Sequence, residues 1–466
     1  MKLFNKSDGV FLLKCFSKEN CISLLPMAIV SFALFFLYSC IQNVPDSGNS
    51  ASSKKTSGMS NKISSAAEMS EKKTIAMEKE STESSEENMG KKTDSGGDNS
   101  EKDVALQAAA DHEALFAESK FPSAATCGTC HPKHYREWSV SSHSYAQLSP
   151  VYLSLSSEIN ELSSGTNGDF CLRCHSPIGA NLGESPFMSN LDRHPTSREG
   201  ITCVVCHRLS KNYNKRSGRL ALVQGGLLEP VYGPKGNEEM ARVLDSTDEY
   251  RVVTEEGKPG RKIHREAKQF ASLSQPIFCG TCHDVTLFNG FRLEEAYSEY
   301  RTSPAAARGT TCQDCHMGKE QGVASGYDVG PGAVVGGKPT KDRKITSHFF
   351  AGPDYSVIHP GIFPHNAEAQ EMASMGEWLK FDHKSGWGTD EFEDKVTEGM
   401  KFPVRWDSVD DRYDAREILN KQFEHLEFGR NLRLEVLRNG YHLGEIVTDQ
   451  SSEEGIRFKA KVSNLT

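Results

Sequence analysis

Cys127-Gly128-Thr129-Cys130-His131, Cys171-Leu172-Arg173-Cys174-His175, Cys203-Val204-Val205-Cys206-His207, Cys279-Gly280-Thr281-Cys282-His283 and Cys312-Gln313-Asp314-Cys315-His316 are five copies of one pattern, Cys-x-x-Cys-His. The spacing predicts covalent c-type haem. Two thiols add across the porphyrin vinyl groups, and the imidazole of the next residue is held under the iron as its axial ligand. Zinc knuckles and disulfides also use Cys-x-x-Cys, but zinc does not require a histidine directly after every pair. Four-ligand zinc sites would also leave a fifth pair without a partner. The expected cofactor is therefore haem c, five copies, with His131, His175, His207, His283 and His316 as proximal ligands.

Ten of the 13 cysteines lie in these motifs; the others are Cys15, Cys21 and Cys40. The apolar run Ile22 to Leu37 follows Lys2, Lys6, Lys14 and Lys18, the order of an export signal. The run ends Leu37-Tyr38-Ser39-Cys40, which resembles a bacterial lipobox. Residues 1–39 are thus expected to be a lipoprotein signal peptide, with Cys40 acylated. A plain cleaved signal and a retained helix are the alternatives, and at about 16 residues, roughly 24 Å, the run is short for a span. All three place the haem region outside the cytoplasm, with the outer membrane favoured because Ile41 is not an acidic retention residue.

Residues 40–105 are rich in Ser, Lys, Glu, Gly and Met and contain no aromatic residue. Such a stretch cannot bury enough apolar surface to offset chain entropy, so a disordered tether is expected. About 65 residues of flexible coil span near 45 Å end to end. The formal net charge of −9 and the lack of a basic stripe give no case for nucleic-acid binding.

Five sites between Cys127 and His316 leave about 40 residues per haem, too few for a globular domain around each. The expectation for residues 106–428 is one mainly α and irregular pentahaem core. Its macrocycles would pack closely enough to exchange electrons. The sixth iron ligand then separates a carrier from an enzyme, since a second protein ligand closes the site and an open position admits substrate. Eleven further histidines are present: His112, His134, His143, His194, His264, His348, His359, His365, His383, His425 and His442. Three stand out as distal candidates. His143 ends an expected helix from Pro132, His264 follows a Gly/Lys-rich turn, and His348 closes a Gly-rich loop in Thr346-Ser347-His348-Phe349-Phe350.

Cys127 through Trp138, followed by Ser142-His143, resembles the opening haem site of multihaem cytochromes related to the tetrahaem nitrification cytochrome and to hydroxylamine oxidoreductase. Gly200 to His207, Phe278 to Asp284 and Glu294 to Met317 are similar to later sites of that group. The resemblance covers roughly Phe121 to Pro353. It implies a helical, irregular core with parallel-stacked and perpendicular haem pairs and mainly bis-His coordination, and it supports His143 and His348 as distal ligands. Two departures are plain: there is no sixth motif, and no Cys-x-x-Cys-Lys of the kind that marks the catalytic haem of ammonia-forming nitrite reductases.

After the haem motifs, Asn366 to Leu379 and Asp414 to Phe428 predict helices, while Leu432 to Leu437 and Ile456 to Val462 predict strands around Asn439-Gly440. Residues 429–466 are expected to be a strand region, either the start of a C-terminal β-sandwich that stops mid-domain or a small hairpin packed on the haem core.

Two functional readings follow. The first is a membrane-anchored, exported electron carrier serving redox proteins of the periplasm or cell surface, without catalytic residues of its own. The second is a haem-dependent oxidoreductase acting on a small nitrogen or sulfur species at one open haem, with His134, Tyr135 or His194 as candidate proton donors.

Overall fold

The computed structural model describes residues 11–15, 120–209, 220–287, 289–452 and 455–464. Cys40, the apolar run Ile22 to Leu37, the tether 40–105 and His112 lie outside them. No described helix is long and apolar enough to cross a membrane. The chain divides into two units, residues 1–106 with 446–460, and residues 107–445 with 461–466.

In the first unit Phe11–Cys15 runs antiparallel to the second of the two C-terminal strands, with Phe11 opposite Ala460 and Cys15 opposite Ile456. The sheet order is Phe11–Cys15, Gly455–Asn464, Tyr441–Ser452. Processing of a leader before Cys40 would remove Phe11–Cys15 and leave Gly455–Asn464 as an edge strand.

The second unit is built from short helices, one long C-terminal helix and two-stranded ladders, with no closed sheet among the described residues. Its helices start on local signals. Pro132, Pro150, Pro177, Pro195, Pro276 and Pro304 each occupy a first-turn position, where the missing N–H costs nothing. Every haem motif folds as one helical turn. His131 N donates to Cys127 O at 2.9 Å, His175 N to Cys171 O at 3.1 Å and His283 N to Cys279 O at 3.0 Å. Cys203–His207 and Cys312–His316 are helices outright. Positions i, i+3 and i+4 share one face of such a turn, so both thiols and the imidazole point the same way.

The expected helix from Pro132 ends at Ser139, and His143 lies on a second short helix, Ser142–Tyr145, which starts on a Ser141 side-chain cap. The expected helix Asn366 to Leu379 starts on an Asn366 cap but is broken at Ala373. Ser374 and Glu377 form a capping box that opens a new helix, Met375–Trp378.

The strand expected over Leu432 to Leu437 is not formed. A single helix of 32 residues, Val409–Gly440, runs through it, and the strands begin at Tyr441. Phe428, Leu432 and Val436, four apart, pack on Val140, Phe349 and Ala351. That helical stripe outweighs the local two-residue alternation. The same helix presents Ala415, Ile418 and Leu419 to a haem-independent core of Trp378, Phe381 and Trp406.

Candidate haem site

One cavity of about 1980 Å³ is lined by all ten motif cysteines and all five motif histidines. His134, His143, His264 and His348 line it too. None of the ten motif cysteines is in a disulfide.

The five motif imidazoles are oriented in one manner. His131 Nδ1 donates to Gly332 O at 2.7 Å, His175 Nδ1 to Ala146 O at 3.1 Å, His207 Nδ1 to Tyr232 O at 2.8 Å and His316 Nδ1 to Ala351 O at 2.7 Å. His283 Nδ1 donates to the Glu294 carboxylate at 2.7 Å. A carbonyl or carboxylate oxygen only accepts, so Nδ1 carries the proton and Nε2 keeps its lone pair. This is the arrangement of a metal-ligating histidine held by an outer partner. His348 follows it, with Nδ1 donating to Thr346 O at 3.1 Å.

Ring pairs add a second test. The centroids of His143 and His283 are 6.1 Å apart, and those of His207 and His348 are 6.4 Å apart. Two imidazoles bound through Nε2 to opposite sides of one metal, each at roughly 2.0 Å, put their centroids about 6 Å apart. His264 lines the same cavity as His131. Burial pushes the pKa of His143 and His348 down to about 3 and that of His264 to about 4, which keeps them neutral and able to bind metal. His143 Nδ1 is buried without a hydrogen-bond partner. The residues present fit haem c.

Gly200 shapes this arrangement. Its φ of +64° favours glycine, and a Cβ there would run into the carbonyl oxygen of His143. The same carbonyl accepts from Ile201 N at 2.9 Å. Gly128 and Gly280, the second residues of two motifs, lie against the rings of Tyr135 and Tyr297, at 2.7 and 2.5 Å from where a Cβ would stand.

The motifs adjoin one another. Cys127 lies beside Cys203, Cys174 beside Cys282, and Cys279 beside Cys312. These contacts bring together motifs one and three, two and four, and four and five.

Of the candidate proton donors, His134 lies in the cavity, its ring 4.4 Å from His348. The Tyr135 hydroxyl donates to His365 O at 2.7 Å. His194 lies outside the cavity lining and caps Pro195–Arg198 through its ring. His359 and His365 give Nε2 to Phe381 O and Ser144 O, so their bonds serve the fold. Three residues carried no sequence signal. Tyr152 stacks on His175 at 3.9 Å and 5°; Glu294 meets His283; and buried Glu199 accepts from Ser123, Ala124 and Thr202 beside motifs one and three.

Residues 126–208 match the family model for cytochrome c554 and c-prime. This stretch carries c-type cytochrome sequence. The match spans the first three motifs and includes His143, and it supports covalently bound haem c and a haem-based role in electron transfer. No curated protein and no solved structure matches the chain.

Proposed function

We propose that this chain is an exported pentahaem cytochrome c that passes electrons between redox proteins of the periplasm or cell surface, anchored at the outer membrane through lipid on Cys40. The observation that carries the reading is the single cavity in which five dithiol turns each present an imidazole with Nδ1 occupied and Nε2 free. Each cysteine pair bonds one haem, and the following histidine is its proximal ligand. His143 would complete the site of His283 and His348 that of His207, while His264 would be the third distal ligand. Haem c, when bound, supplies reversible one-electron exchange. That all five motifs line one cavity supports short steps from site to site. A relation to the hydroxylamine oxidoreductase group, a haem-filled core and a C-terminal sandwich belong to the same proposal.

A second reading, redox chemistry on a small nitrogen or sulfur species, is favoured at His175, whose ring is stacked on Tyr152; neither His175 nor His316 is in ring contact with a second imidazole among the described residues. Spin-state spectroscopy of the purified protein decides between the two. Low-spin ferric haem throughout is the expected result for a carrier. A high-spin fraction perturbed by hydroxylamine, nitrite or sulfite would replace that reading with the enzyme.

A further inference from the structure

Four of the five motif histidines give their Nδ1 proton to a backbone carbonyl; His283 gives it to a carboxylate. We propose that Glu294 is a positioning residue that makes His283 the most electron-donating of the five imidazoles. The haem on Cys279 and Cys282 is thereby lower in potential than it would be on a carbonyl-bonded histidine. The inference rests on the pentahaem reading above and deepens it by giving one site a distinct place in the electron path.

The carboxylate is held by construction. Val285–Thr286 and Arg292–Glu294 form a hairpin that leaves motif four and returns, with Val285 opposite Glu294. Asp284, buried beside His283, pairs with Arg292 at 2.6 Å and accepts from Ser298 at 2.8 Å, which closes the hairpin at its base. Tyr297 N donates to His283 O at 2.9 Å, and the Tyr297 ring lies over Gly280. The His283 bond to Glu294 is therefore fixed from both sides of the turn.

A hydrogen bond from a ligating imidazole to a carboxylate raises ligand basicity and stabilises the higher oxidation state of the metal.

The test is a spectroscopic redox titration of the pentahaem protein and its Glu294→Gln variant, with the affected haem identified as the one that turns high-spin in His143→Gly. Glutamine keeps an acceptor oxygen and removes the charge. One midpoint is expected to rise by about 59 mV, a tenfold change in the one-electron equilibrium constant, with a shifted low-spin EPR signal for that haem alone. Glu294→Asp restores the low midpoint. Glu295→Gln, which removes an equal charge one residue away and touches Arg292 but not His283, leaves it unchanged. Equal shifts in Glu294→Gln and Glu295→Gln, or no shift in a Glu294→Gln protein that carries five haems by mass, would overturn the assignment to Glu294. A mass without five haems would overturn the pentahaem reading itself.

Discussion

His143 and His348 carry the most specific expectation at the scale of single residues. Each faces a motif imidazole at the separation one metal would set, 6.1 and 6.4 Å. His143→Gly and His348→Gly should each convert one haem to high spin, read by EPR and by the visible spectrum. If both spectra stay low-spin, the pairing is wrong. Gly200→Ala should weaken the same site indirectly. A side chain there meets the His143 carbonyl and forces a left-handed conformation costing about 1–2 kcal/mol before the clash, so a lower melting temperature and a high-spin fraction are expected together. Glu199 predicts a pH dependence. Burial pushes its pKa up from 4.5 to about 7, against hydrogen bonds from Ser123, Ala124 and Thr202. The folded protein then holds a proton that the unfolded chain releases. Its contribution is most favourable below about pH 4.5 and is lost as pH rises to about 7, on the order of 3 kcal/mol. Glu199→Gln should flatten that slope in denaturation measured across this window. An unchanged slope would show that the carboxyl does not titrate there.

Elements differ in how far their own residues specify them. The haem turns are local: a thiol, a second thiol and an imidazole within one turn need nothing distant to be recognised, and all five formed where the pattern placed them. The helix Val409–Gly440 shows the opposite. Its last turns alternate locally like a strand, and only packing of Phe428, Leu432 and Val436 on Val140, Phe349 and Ala351, all distant in the chain, selects the helix. The break at Ala373 was legible, since Ser374 and Glu377 have capping-box spacing, but helical periodicity on either side masked it. At its N-terminal end the long helix is tied to the aromatic core by Arg412. That guanidinium is buried with Glu393 at 2.5 Å, donates to Trp406 O and lies 3.9 Å over the Phe402 ring. Arg412→Ala leaves the Glu393 carboxylate buried and unpaired, so a loss of about 3–5 kcal/mol is expected in chemical denaturation. The haem spectrum of the folded fraction should be unchanged, because this core lies outside the haem cavity lining.

For the whole molecule the expectation is an intact mass that carries five haems on ten thioether bonds, with Cys40 lipidated; Cys40→Ser should abolish lipid labelling while leaving the haem count at five. A bare polypeptide mass would end the account. What the sequence marked by itself was the class of cofactor, c-type haem, and the candidate attachment cysteines and proximal histidines, because that chemistry is contained in five consecutive residues. It also singled out three histidines as distal candidates, and all three line the cavity. It left open which motif each would face and which acceptor would orient each imidazole. The His131 acceptor, Gly332, is 201 residues away, and a backbone carbonyl has no residue type to read. Only the tertiary structure set His143 against His283, His348 against His207, and a carboxylate in place of a carbonyl on one ring of the five. Those relations depend on distances between segments far apart in the chain, which local spacing does not encode.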